Sequence, residues 1–169
     1  MDIRIASAVG RGPTPLAAFD AALRNAGVED YNLIALSSVI PPGSVLIRAR
    51  FSTPASEYGH RLYVVMARHA ATRPGEEAWA GLGWAQEPES GRGLFVELHG
   101  SSRRAVESAI GSTLDAMKQA RRYDYGKNES EIAGIVCEGD PVCALVIAIY
   151  ASEGWGERDT AGPCASPWD

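Results

Sequence analysis

A chain of 169 residues is long enough for one domain with a sizeable core and too short for two. Hydrophobic residues make up 46% and charged residues 22%, which excludes a disordered segment and places the chain among folded globular proteins. The formal net charge of −5 gives no reason to expect nucleic acid or an anionic membrane as partner.

Asp2 to Val9 alternates apolar and small or polar residues and predicts a first strand, which Gly10-Arg11-Gly12 ends. Thr14-Pro15 then reads as a helix start: threonine caps free N–H groups, and proline is tolerated at the first helical position. Leu16, Phe19 and Leu23 share one face and Gly27 supplies a left-handed stop, so a helix is predicted from Pro15 to Ala26. Asp20 lies about 40° from Leu16 on that helix, towards the apolar face, where a carboxylate is costly unless paired.

Tyr31 to Leu36 reads as a short strand running into Ser37-Ser38 and then Val39-Ile40-Pro41-Pro42-Gly43. Taken alone, that stretch is a strand ending in a turn whose serines bond to local backbone. Further strands are predicted at Val45–Ala49, Leu62–Ala67, Ala80–Gln86, Leu94–His99, Ile132–Glu138 and Val142–Ala151. Glu97 falls within Leu94-Phe95-Val96-Glu97-Leu98, and two-residue alternation alone would turn it to solvent. Ser101 or Ser102 caps a second helix with Val106, Ile110, Leu114 and Met117 inward, and Gly139-Asp140-Pro141 suggests a hairpin. Thr72–Glu77 and Glu87–Gly93 read as loops. Residues 71–92 are rich in Trp and Glu without a recognisable pattern, and the tail 155–169 is expected to be extended.

The element order points to α+β, with mostly antiparallel sheets and helices outside, in a single domain spanning 1–169. The N-terminus lacks the apolar stretch of a secretory signal, and the longest apolar run is about half of a membrane span. Cys137, Cys143 and Cys164, three in number and without C-x-x-C spacing, read as reduced thiols of a cytoplasmic protein. His60, His69 and His99 show no metal-ligand spacing, so no metal is expected.

One block is specific. Gly12-x-Thr14-Pro15-Leu16-x-Ala18-Phe19-Asp20-x-Ala22-Leu23-x-Asn25-Ala26-Gly27, then Asn32-Leu33-Ile34, Ser37-Ser38 and Pro41-Pro42, resembles the pyruvoyl-dependent arginine decarboxylases. The likeness is looser over Gly93-Leu94-x-x-Glu97-x-x-Gly100 and faint over Cys143 to Trp155. It implies an α-β-β-α four-layer sandwich, assembled as a homotrimer with sites shared between neighbours. It implies self-cleavage between Ser37 and Ser38 into fragments 1–37 (beta) and 38–169 (alpha). The Ser38 hydroxyl would attack the Ser37 carbonyl, and Ser38 would end as a covalent pyruvoyl cofactor.

The same resemblance implies decarboxylation of L-arginine to agmatine through an imine between the substrate amine and the pyruvoyl group. Glu97 matches the proton donor, Asp20 the ligand of the substrate guanidinium, and Asn32 a position that hydrogen-bonds in cleavage or substrate binding. His99 departs from the pattern, standing where relatives often carry a second acid. Two alternatives remain open at this point: pyruvoyl chemistry on another amino acid, or an unprocessed homologue acting as a binding or structural subunit.

Overall fold

The computed structural model describes residues 1–156; most of the predicted tail, and Cys164, lie outside the described residues. The elements follow as β1 (Asp2–Arg11), α1 (Pro15–Ala26), β2 (Asn32–Ala35), β3 (Val39–Ile40), β4 (Val45–Arg48), β5 (Arg61–Ala71), β6 (Glu77–Gln86), β7 (Gly93–Gly100), α2 (Arg103–Gln119), β8 (Glu129–Val136) and β9 (Val142–Glu153). A five-stranded sheet runs β2-β5-β9-β1-β4 and a four-stranded sheet runs β3-β7-β6-β8. All pairings are antiparallel except β1–β4 and β2–β5, so the class is α+β with mostly antiparallel sheets, as expected.

β9 explains how the layers stack. Its residues Val142 to Ile149 are buried on both faces, which is why they read as a continuous apolar run instead of an alternation. Val142, Ala144, Val146 and Ala148 face a core shared with Leu82, Trp84 and Phe95 of the four-stranded sheet. Cys143, Leu145, Ile147 and Ile149 face Ala18, Ala22 and Ala26 of α1. On the far side of the four-stranded sheet, Val106, Ile110 and Leu114 of α2 close a third core over Ala85 and Val96.

Small residues set the close approach of both helices. A Cβ on Gly10 would lie 2.3 Å from Ala18 O and from Ala22 N, so β1 touches the α1 backbone there. The helix ends follow local chemistry. Thr14 Oγ1 accepts from Ala17 N at 3.1 Å, Gly27 stops α1 at φ 81°, and Ser102, not Ser101, caps α2.

Three expectations are revised. The turn Gly139-Asp140-Pro141 does not make a hairpin: β8 lies in the four-stranded sheet and β9 in the five-stranded one, so the turn carries the chain between sheets. The strand predicted at Ala80–Gln86 starts earlier, at Glu77, and its Ala78, Ala80, Leu82 and Trp84 enter the core between the sheets. Val39–Ile40, read only as a turn, forms β3 on the edge of the four-stranded sheet. No helix among the described residues is long and apolar enough to cross a membrane.

Candidate active site

The chain changes sheets at Ser37-Ser38. Upstream, β2 pairs in parallel with β5, and Leu36 N donates to Val64 O at 2.9 Å. Downstream, β3 pairs with β7, and Phe95 N donates to Ser38 O at 2.8 Å. Held from both sides, Ser38 adopts φ 57°, a left-handed conformation that is uncommon for a non-glycine residue. Such conformations cost about 1–3 kcal/mol and persist only where the surroundings over-determine them. Pro41 and Pro42 fix their own φ angles, and Pro41 favours an extended Ile40.

Glu97 is two residues beyond Phe95 on β7. The strand's pleat sends both side chains to the same face, and Phe95 is fully buried between the sheets. Glu97 therefore points into the space between the sheets, not to bulk solvent as alternation alone suggested. Its Oε1 accepts a hydrogen bond from Ser38 Oγ. A hydroxyl and a carboxylate that accepts its hydrogen bond thus sit beside the Ser37-Ser38 peptide where the chain changes sheets. This arrangement suits attack of a hydroxyl on the preceding peptide bond.

Tyr150 completes the surroundings, and nothing in the sequence singled it out. It falls where the β5–β9 register steps from Tyr63↔Ala151 to Val64↔Ile149, so it is the extra residue of a bulge. Its hydroxyl donates to Val39 O at 2.9 Å, and its ring meets Phe95 edge-on with centroids 6.3 Å apart. Burial first, and the Glu97 carboxylate second, push its pKa well above the ordinary phenol range, so it keeps its proton. Further along the same face, His99 stacks on His69 of β5 with centroids 5.0 Å apart. Burial and then the His99 neighbour hold His69 below its ordinary range.

The two other predicted residues lie elsewhere in the protomer. Asp20 is exposed on α1 and makes no hydrogen bond or ion pair with Ser38, Glu97 or Asn32. Asn32 opens β2: its backbone N donates to His60 O at 2.8 Å and its Nδ2 to Gly59 O at 2.7 Å. The indole of Trp155 donates to that same Gly59 carbonyl at 2.9 Å.

The family model described as pyruvoyl-dependent arginine decarboxylase matches residues 2–154. A pyruvoyl-dependent arginine decarboxylase of Halobacterium salinarum is 36% identical over 151 residues, covering 88% of this chain and 92% of that protein. One from Methanocella arvoryzae is 33% identical over 153 residues, covering 85% and 91%. Pyruvoyl-dependent arginine decarboxylase 1 of Archaeoglobus fulgidus is 35% identical over 108 residues, covering 60% and 69%.

Proposed function

Because this chain belongs to the pyruvoyl-dependent arginine decarboxylase family, we propose that it cuts itself between Ser37 and Ser38 and converts L-arginine to agmatine and carbon dioxide. The observation that carries the reading is the hydrogen bond from Ser38 Oγ to Glu97 at the point where the chain changes sheets.

Ser38 Oγ, aligned by its hydrogen bond to Glu97, attacks the Ser37 carbonyl carbon; its proton passes to the amide nitrogen of residue 38, which leaves as a free amine. The peptide has become an ester. Elimination removes the Ser38 α-proton and expels the Ser37 carboxylate, which keeps the former Ser38 oxygen. The dehydroalanine left at position 38 takes up one water, loses ammonia and becomes the pyruvoyl end of the fragment 38–169. The backbone at Ser38, held at φ 57°, supports a strained peptide as the point of attack.

The residues around position 38 fit such a group: Phe95 N holds the carbonyl of residue 38, Tyr150 holds that of Val39, and Glu97 supplies a carboxyl in hydrogen-bond reach of the side chain. The pyruvoyl group supplies a carbonyl that bonds the substrate amine and accepts the electron pair released with carbon dioxide. Glu97 then delivers a proton to the substrate α-carbon. Asp20 binds the planar guanidinium through two parallel hydrogen bonds. With its Nδ2 engaged by Gly59, Asn32 offers its side-chain oxygen to substrate or to the cleavage site.

Asp20 and Ser38 do not touch within a protomer, which supports a site completed by a neighbouring copy in a homotrimer. Exposed apolar residues at opposite edges of the five-stranded sheet, Ile34 on β2 and Val45 and Ile47 on β4, offer complementary contact surfaces for a closed ring. The free, buried thiols of Cys137 and Cys143 support a reducing, cytoplasmic setting.

Intact-mass spectrometry of the purified protein tests the proposal. The native chain should give fragments 1–37 and 38–169, the second with a pyruvoyl end, while Ser38→Ala should stay whole. A native chain of full length, or a cleaved Ser38→Ala protein, rules the proposal out. Assays on arginine, lysine and citrulline separate arginine specificity from pyruvoyl chemistry, since neither of the last two offers a charged planar fork to Asp20.

A further inference from the structure

Before cleavage, residue 38 is held from two sheets. Leu36 N bonds Val64 O on the five-stranded sheet, and Phe95 N bonds the Ser38 carbonyl on the four-stranded one. A cut between Ser37 and Ser38 severs the first connection and turns residue 38 into a chain end. Chain ends fray unless something ties them down. The segment that follows is weakly secured: β3 is two residues long, and Pro41 and Pro42 have no N–H to extend its ladder.

The Tyr150 hydroxyl meets Val39 O at 2.9 Å from β9, in the sheet whose link to residue 38 through β2 the cut would break. The bulge turns this side chain towards β3, and the edge contact with Phe95 fixes its ring. We propose that Tyr150 is a positioning residue that ties the cofactor-bearing end of the fragment 38–169 to the five-stranded sheet and keeps it facing Glu97. This rests on the proposed self-cleavage at Ser38. Burial and the Glu97 carboxylate keep the hydroxyl protonated, so the tie is a donor throughout the neutral range.

Tyr150→Phe keeps the ring against Phe95 and removes only the tie. It should process normally, because Leu36 and Phe95 still hold the uncut chain. In the cut protein a displacement of about 1 Å between the reacting end and Glu97 can cost about 100-fold. The loss should therefore fall on kcat, with KM close to native.

Hydrogen exchange at the Phe95 amide reads the tie without any turnover, since that N–H bonds the carbonyl of residue 38. Loss of one hydrogen bond should speed exchange roughly tenfold in cleaved Tyr150→Phe relative to the cleaved native protein. In the uncut Ser38→Ala background, where both sheets hold the segment, Tyr150→Phe should change exchange by less than about twofold. Equal acceleration in both backgrounds would make Tyr150 a packing residue only, and no acceleration in either would remove it from the site. A raised KM at native kcat would make it a substrate contact and overturn the tie. A native chain that stays whole overturns the cleavage and the tie together; a cleaved chain with unchanged exchange overturns the tie alone.

Discussion

Glu97 stands between the buried Phe95 and the exposed His99 on one face of β7, and its position there decides what a carboxylate can do. Apolar residues flank it on both faces because β7 lies between α2 and the other sheet, so alternation could not say which way it points. The bond from Ser38 Oγ gives Glu97 a partner in the intact chain and aims it at residue 38. Glu97→Gln keeps an oxygen that accepts this bond but has no proton to give. The variant should still cleave, as judged by intact mass, and should lose about 10²–10⁴-fold in kcat for decarboxylation. Native turnover would show that another group protonates the substrate carbon. The Ser37-Ser38 and Pro41-Pro42 pairs were legible because their chemistry is local. Tyr150 was not, since a bulge leaves no mark in the sequence of the strand that carries it.

Among the elements, α1 shows most directly how sequence became architecture. Thr14, Pro15 and Gly27 set its ends, and Ala18, Ala22 and Ala26 let it settle on β1 and β9. Its seat depends on Gly10. Gly10→Ala places a methyl group 2.3 Å from the Ala18 carbonyl oxygen, against backbone that cannot rotate away. Overpacking of this kind costs about 1–3 kcal/mol, so the denaturation midpoint should fall in the Ser38→Ala background, with the m-value unchanged. Gly111 on α2 is the control: a Cβ there meets nothing within 4 Å. Gly111→Ala should therefore stabilise by about 0.5–1 kcal/mol through helix propensity alone. A midpoint for Gly10→Ala equal to that of its parent would mean that α1 is not seated through Gly10. Helix ends were legible because caps act within four residues, whereas β3 is too short for any pattern to reveal. The Gly139-Asp140-Pro141 turn misled because a tight turn looks the same whether its strands pair or part.

At the scale of the whole molecule, the separation of Asp20 from Ser38 within a protomer becomes a test of assembly. Asp20→Asn alone should lower kcat/KM for arginine tenfold to a hundredfold, the value of about 1.5–3 kcal/mol for a hydrogen bond to a charged group. Ser38→Ala alone should be inactive. Equal co-assembly of the two defective chains should restore roughly a quarter of native activity if each site takes Ser38 from one subunit and Asp20 from another. No recovery in mixed oligomers would place both residues in one subunit's site, or take Asp20 out of it. The sequence by itself determined the α+β class, the ends of the first helix, the start of the second to within one residue, the serine pair and the family, because caps, turn residues and a closely spaced motif act over a few neighbouring residues. Only the tertiary structure decided which strands share a sheet, which way Glu97 faces and that Tyr150 meets Val39. Those outcomes depend on contacts between residues far apart in the chain, and strands buried on both faces carry no alternation from which such contacts can be read.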